Sequence, residues 1–357
     1  MENASPYVAT SMKEGQKVRI ARKLLQTGLL SSLLALRARL RSPWLPVLTY
    51  HRIAKADPAT RFDDGVIDAT PEMFDRQLSL LRRWFNVLGM EDVFAFRAGK
   101  SLPKNPVLIT FDDGYKDNFQ AALPILQRHG LKATFFVATD YIDQRRLFWW
   151  DRLNLLVKSS TKETVELSYP SKLVLSLRTE EARRYAIARF IHIVKVEEAL
   201  ELDRFLDEVT RACGVALADG EERRMADSLL MTWDEVRALR AAGMDVQSHT
   251  RSHRTLQTLP LGQLGHELGG SREVLEHALG TRVRALSYPV GRGVAGSPDI
   301  RAAVRAAGYE LGFSNTTGIN NVFRFDPLNA RRLGVDVQLS DAQYLAMLAL
   351  PGFSYAS

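Results

Sequence analysis

The sequence predicts an α/β protein whose strands and helices alternate into a parallel sheet or barrel, on three observations. Short apolar runs recur from Pro46 onward: "PVLTYH" (Pro46–His51), "PVLITF" (Pro106–Phe111), "ATFFVA" (Ala133–Ala138), "MDVQS" (Met244–Ser248), "RALSYP" (Arg284–Pro289) and "YELGFS" (Tyr309–Ser314). Runs without polar alternation suit strands buried on both faces. Between them lie amphipathic stretches with helix-start signals. "TPEMFDRQLSLLRRW" offers Thr70 as N-cap and Pro71 at the first helical position, and "TWDEVRALRAAG" opens on Thr232 and ends on Gly243. Finally, 357 residues, 46% hydrophobic and 25% charged, are enough to bury a large core.

Taken in order, residues 1–45 form a basic N-terminal segment. Lys13, Lys17, Arg19, Arg22, Lys23, Arg37, Arg39 and Arg41 face only Glu2 and Glu14, a surplus of six out of a net charge of +7. The remaining chain is almost neutral and carries no basic stripe interleaved with aromatics, which argues against nucleic acid as a partner. The most apolar stretch here, "GLLSSLLAL" (Gly28–Leu36), is well short of the ~20 residues a membrane-spanning helix needs, and no clear cleavage site follows it. Ala21, Leu25, Leu29, Leu33, Leu36 and Leu40 recur at spacings of three and four, predicting an amphipathic helix with one apolar face. That face packs on the protein's own body or a second subunit, or it lies on anionic lipid. The expected location is cytoplasmic, peripheral at the inner membrane. The single cysteine, Cys213, fits a reducing compartment and excludes a zinc site built mainly on thiolates.

Residues 46–345 read as the α/β body, interrupted at about 152–231 by charged helical sequence with "KLVLSL" as its one strand candidate. This insertion follows the aromatic "FWWD" (Phe148–Asp151), which either lines a cleft, where flat rings stack on sugars, or packs in the core.

In parallel α/β folds reactive groups gather at the C-terminal strand ends. The strand through Phe111 ends on Asp112 and Asp113, followed by Gly114, which permits a sharp turn; that through Ser248 ends on His249; that through Tyr288 ends on Pro289; that through Thr49 ends on Tyr50 and His51. Neighbouring residues on a strand point to opposite faces, so the two aspartates do not share one surface. "SHTRSH" sets His249 and His253 four apart, and on a helical turn both imidazoles would share one face. Two imidazoles with a carboxylate make a set suited to zinc or a similar divalent ion, which acidifies water and polarises a carbonyl while a second carboxylate takes the water's proton. Thr250 is expected to hydrogen-bond within this loop.

"TFDDG" (Thr110–Gly114), "SHTRSH" (Ser248–His253) and "LSYPVG" (Leu286–Gly291) resemble, in order, the first three motifs of the polysaccharide deacetylases, carbohydrate esterases related to nodulation-factor deacetylases. "VLTYHRI" and "TPEMFDRQLSLL" resemble stretches upstream of the first motif. The resemblance covers roughly residues 46–140 and 230–340. It implies a distorted (β/α) barrel of about seven strands, fewer than a full triosephosphate-isomerase barrel, and metal-dependent removal of acetyl groups from sugars. Carried over by position, it makes Asp112 the catalytic base and Asp113, His249 and His253 the metal ligands, with zinc the expected ion. The third motif departs from the family: Ser287 and Val290 flank Pro289 where many relatives carry an arginine. Tyr288, Pro289, Val290 and Arg332 are the oxyanion and substrate candidates, with the Val290 amide as donor. Arg331 or Arg332 is expected to supply the missing guanidinium that orients the base. The family's late histidine, which protonates the departing amine, has no counterpart after His277. His51, on the strand-end rim, takes that role or is a buried structural histidine, whereas His129, His192, His266 and His277 read as structural.

The expected function is hydrolysis of the N-acetyl group of an N-acetylhexosamine in a glycan or lipid-linked precursor. An amidase acting on a small non-sugar C–N bond and a lapsed enzyme that only binds glycan are the alternatives.

Overall fold

The computed structural model describes residues 17, 19–40, 42–351 and 353. Of the N-terminal charges, Glu2, Lys13, Glu14 and Arg41 lie outside the described residues.

Seven parallel strands close into a barrel: β1 (Val47–Tyr50), β2 (Pro106–Phe111), β3 (Thr134–Val137), β4 (Asp245–Ser248), β5 (Ala285–Ser287), β6 (Leu311–Thr317) and β7 (Ala330–Gly334). Each pairs with the next, and β7 returns to β1 through Leu333 opposite Leu48 and Gly334 opposite Thr49. A short further strand, Asn86–Leu88, pairs in parallel with the first half of β2. Residues 71–84 form the expected helix, Pro71–Trp84, with Thr70 accepting from the Met73 amide at 3.2 Å. Thr232 and Glu235 make a reciprocal capping box on the helix Trp233–Ala241.

The two-residue period of the strands decides what each side chain meets. Along β2, Val107, Ile109 and Phe111 point outward into the cluster with Phe74, Leu78 and Leu81 of the covering helix. Leu108 belongs to a separate cluster with Val47, Phe136, Ala285, Phe313 and Ala330. That cluster fills the lumen: the rings of Phe136 on β3 and Phe313 on β6 meet across it at 5.4 Å. Counting on by twos, lumen positions continue from Leu108 to Thr110 and Asp112, from Gln247 to His249, from Ala285 to Ser287 and from Ala330 to Arg332. Apolar side chains plug the bottom of the barrel, and polar ones, all buried, occupy the top.

The insertion comprises the helices Trp149–Ser159, Glu180–Val196, Leu202–Cys213 and Glu221–Leu229, with an antiparallel ribbon, Thr164–Leu167 against Leu173–Ser176. It has its own apolar cluster, which includes Leu153, Phe190, Phe205, Val209 and Cys213.

The single apolar face expected near the N-terminus does not form. Residues 19–26 are helical, but Gly28 takes a left-handed φ of 74° and begins a second helix, Leu29–Arg39, in a new phase. Ala21, Leu30 and Leu34 are buried in the main core, and Arg37 donates to the carbonyls of Leu348 and Ala349 at 3.2 and 2.6 Å, at the end of the helix Asp341–Ala349. Leu29, Leu36 and Leu40 are left 60%, 54% and 55% exposed. The segment therefore docks on the barrel through one stripe and presents a second stripe outward.

Candidate active site

Asp112 and Arg332 sit at the top of the lumen, 1% and 0% exposed. They meet as a two-pronged pair, Nη1 to Oδ1 at 2.8 Å and Nη2 to Oδ2 at 2.7 Å. Ser287 completes a triangle: its Oγ donates to Asp112 Oδ2 at 3.0 Å and accepts from Arg332 Nη2 at 2.9 Å. Burial pushes the Asp112 carboxyl up, but Arg332 foremost, with His249 and His51, more than offsets this and holds it well below the usual carboxylate range. Arg332 thus stands where a base-orienting guanidinium was expected. It touches Asp112 rather than the cleft, so it is not a substrate contact, and Arg331 makes no such contact among the described residues.

Asp113 points elsewhere because its backbone turns. Its φ is 76°, a left-handed value that aspartate adopts more readily than most residues, and Gly114 follows at 102°. His249 and His253 bring their Nε2 atoms each to 3.4 Å from Asp113 Oδ1, which is buried and has no hydrogen-bond partner among the described residues. His249 Nδ1 donates to the Ser287 carbonyl at 2.8 Å, which leaves the Nε2 lone pair facing Asp113. Burial, then His249, pulls the His253 imidazole down to about 3, so it is uncharged at neutral pH. The expected helical turn is absent: residues 249–253 form a loop with Thr250 at φ 64° and His253 at φ 52°, and this, not helix periodicity, sets the two imidazoles 4.6 Å apart. The Thr250 hydroxyl makes no hydrogen bond among the described residues, contrary to expectation; its backbone closes the loop by donating to Ser248 Oγ. A buried carboxylate oxygen without a partner, faced by two imidazole nitrogens, is a donor set that fits a divalent ion, and all three ligand atoms lie within 4.8 Å of one another.

His51 lines the same cleft. Its Nδ1 and its backbone amide both bond to Asp68 Oδ2, the former at 3.0 Å. Burial alone would lower the imidazole, but Asp68 foremost raises it to about 9, leaving a protonated ring. Of the other histidines, His129 is tied to Asp75 at 2.9 Å, and His192, His266 and His277 lie on the surface.

The cleft holds about 590 Å³. Val290, held at φ 60°, lines it, but Pro289 and Tyr288 do not. Tyr288 is engaged in the core, its hydroxyl donating to the Leu328 carbonyl at 2.8 Å, because one residue past the inward-facing Ser287 at the end of β5 the chain points away from the lumen. Trp149 and Trp150 do both things considered for "FWWD": each lines the cleft, yet they are 2% and 5% exposed, with Trp150 stacked on Phe148 at 4.3 Å and 4.6 Å from the His253 ring.

Sequence reasoning missed Ser287 as a partner of Asp112, Asp68 as the partner of His51, and Asp63, Ile191, Lys195, Arg292 and Asn315 as lining residues. Counting by twos from Ala285 would have found Ser287. No local pattern marks Asp68, whose contact with His51 depends on a short parallel pairing of Arg52–Ile53 with Ile67–Ala69.

Fold and site together define a class: a (β/α) barrel whose C-terminal strand ends carry an Asp-His-His set that could hold a metal ion and a separate carboxylate locked by an arginine. The chain belongs to the polysaccharide deacetylase family, which it matches over residues 99–170 and 208–312. It is 33% identical over 99 residues to YxkH of Bacillus subtilis (strain 168), a polysaccharide deacetylase by name; the match covers 26% of this chain and 31% of that protein. It is 27% identical over 128 residues to the poly-beta-1,6-N-acetyl-D-glucosamine N-deacetylase of Staphylococcus epidermidis, covering 33% of this chain and 43% of the relative. Both matches thus span less than half of the relative. Among solved structures, the Streptococcus pyogenes deacetylase PplD in complex with acetate superposes with a TM-score of 0.56 at 20% identity, covering 86% of this chain and 99% of that one. IcaB from Ammonifex degensii does so at 0.53 and 17%, covering 87% and 99%. At such identities these structures bear on the fold alone, and they agree with the seven-stranded barrel.

Proposed function

We propose that this protein is a zinc-dependent N-deacetylase acting on N-acetylhexosamine residues of a glycan or lipid-linked saccharide. The observation that carries the reading is the division of labour between adjacent acids: Asp113 offers a partnerless oxygen to two imidazoles, while Asp112 is locked by Arg332 and Ser287. A divalent ion held by Asp113, His249 and His253 would acidify water and polarise the acetyl carbonyl. Asp112, ionised and fixed in orientation, accepts the proton of the attacking water. His51, protonated through Asp68, donates its proton to the departing nitrogen, so that acetate and a free amine leave. The main-chain amide of Val290 is the candidate donor to the developing oxyanion. Metal analysis of the purified protein, followed by acetate release from N-acetylglucosamine oligomers, tests this. Loss of release on chelation and its return with Zn²⁺ support it; release from small amides but from no sugar would favour the amidase alternative; metal bound with no release from any substrate would indicate a lapsed enzyme.

We further propose that the protein works in the cytoplasm, peripherally at an anionic inner-membrane surface. The outward stripe of Leu29, Leu36 and Leu40, with Arg39 beside it, supports this. No helix among the described residues is long and apolar enough to cross a membrane.

A further inference from the structure

The family match breaks between residues 170 and 208, and the helix Glu180–Val196 falls inside the break. That helix nevertheless reaches the catalytic cleft: Ile191 and Lys195, one turn apart, line the same space as Asp112, Asp113 and His249. One wall of the cleft is therefore made by a segment that lies outside the family match. Lys195 is half-buried, and it makes no ion pair or hydrogen bond among the described residues. Burial lowers its ammonium, and only the more distant charge of Asp63 acts against that. Arg292, on the loop after β5, lines the same cleft and is also without a partner among the described residues.

With a divalent ion in the Asp113, His249 and His253 set, the charges of the cleft would not balance internally. Asp112 is matched by Arg332 behind it, His51 by Asp68, and Asp113 would be matched by that ion. That leaves Lys195 and Arg292 against Asp63. A half-buried ammonium with no partner is costly to keep unless a ligand supplies the partner. Resting on the deacetylase reading, we infer that the cleft takes an N-acetylhexosamine bearing an anionic substituent, phosphoryl or carboxylate, that pairs with Lys195 and Arg292. Lys195 offers a point charge on a flexible stem and the exposed Arg292 a planar fork, two kinds of contact that an oxyanion can accept. Selectivity then comes from the insertion together with the loop after β5, and chemistry from the strand ends of the barrel.

The test compares three substrates on the Zn²⁺-loaded full chain: methyl N-acetylglucosaminide (neutral), N-acetylglucosamine 1-phosphate and N-acetylmuramic acid. The wild type is expected to favour one or both anions by about tenfold or more in kcat/KM, with the phosphate and carboxylate arms identifying the substituent. Lys195→Gln should cut the anionic-to-neutral ratio roughly tenfold, Lys195→Glu should invert it, Arg292→Gln should lower it, and Lys195→Arg should restore most of it. Quenching of Trp149 and Trp150 fluorescence by the same compounds gives a readout that does not depend on turnover. If acetate is released but the wild-type ratio is near one, or is unmoved by Lys195→Gln and Arg292→Gln, the anionic subsite is overturned while the deacetylase reading stands. If no acetate is released from any compound but Lys195-dependent binding of an anion persists, the deacetylase reading fails and the subsite stands.

Discussion

Asp68→Asn is the sharpest probe of the proton donor, because it removes a charge and keeps the geometry. The amide oxygen of the substituted side chain can still accept from the His51 backbone and from Nδ1, where Asp68 Oδ2 now accepts from both. What disappears is the carboxylate that, against burial, raises His51 from 6.5 to about 9. At an effective dielectric of about 20, two unit charges about 4 Å apart attract by about 4 kcal/mol, or roughly 3 pH units. The burial that lowers His51 stays, so in Asp68→Asn the imidazole should fall to its ordinary 6.5 or below. If protonated His51 supplies the leaving-group proton, activity requires the acid form, and the alkaline limb of kcat/KM marks its titration. The limb should therefore move at least 2 units toward acid in the variant, on an N-acetylated sugar, with both enzymes loaded with the same metal. Metal charge lowers both limbs alike, so the difference between them carries the prediction. Aryl acetates, whose leaving groups need no proton, should show no such shift. A limb that moves by less than about 1 unit, or equally for both substrate types, would refute the role of His51 as acid.

Four further outcomes are expected. Asp113→Ala, His249→Ala and His253→Ala should lose bound metal by elemental analysis, whereas Asp112→Asn should retain it and lose roughly 10²–10⁴-fold in kcat. Arg332→Met leaves the Asp112 charge buried and uncompensated, which should lower unfolding free energy by about 3–5 kcal/mol in denaturant titration; Arg332→Lys, keeping the charge without the fork, should cost less. Asp151 is fully buried, and burial raises its carboxyl from 3.8 to about 7. The folded state thus holds a proton that the unfolded chain releases, so stability present below pH 3.8 is lost as pH rises to about 7; Asp151→Asn should remove a slope worth roughly 4 kcal/mol, read from melts at a series of pH values. Co-sedimentation with anionic vesicles should weaken with salt and fall when Leu29, Leu36 and Leu40 are changed to Ser, whereas Leu34→Ala, in the buried stripe, should lower stability by about 2–5 kcal/mol. Vesicle binding unchanged by the triple variant would remove the membrane proposal.

Much of the fold was legible because its strands are buried on both faces and therefore read as unbroken apolar runs. Six of the seven barrel strands announce themselves so, and β2 matches its apolar run from Pro106 to Phe111. β7 was hidden because "ARRLG" carries two arginines, and only the lumen explains it: Arg331 points out, while Arg332 points in to meet Asp112. The ligand set was legible by residue type, but the reason given for its geometry was not. His249 and His253 converge through left-handed backbone at Thr250 and His253, a conformation their side chains do not advertise. The pairing of His51 with Asp68 was invisible, since a contact between residues 17 apart is made by folding rather than by local pattern. The N-terminal face was not legible for a related reason. The three-and-four spacing of its apolar residues runs unbroken through Gly28, whereas the chain restarts its helical phase there.

The same lumen explains why the two acids can be neighbours in sequence and opposites in chemistry. Asp112 continues the inward set of β2 and inherits what the lumen offers at that height, a guanidinium from β7 and a hydroxyl from β5. Those partners make it a weak base by pKa, yet they keep it ionised and fix the direction of its lone pairs, so orientation rather than basicity is what the site secures. Asp113 lies one residue beyond the strand, where the backbone reverses, and escapes the lumen toward the histidine loop. A consequence follows for the pH profile. With Asp112 held well below the usual carboxylate range and His253 near 3, neither titrates near neutrality. On the proposed mechanism, loss of activity above neutral pH then falls to His51, and replacing Asp68 rather than Asp112 is what should move that limb.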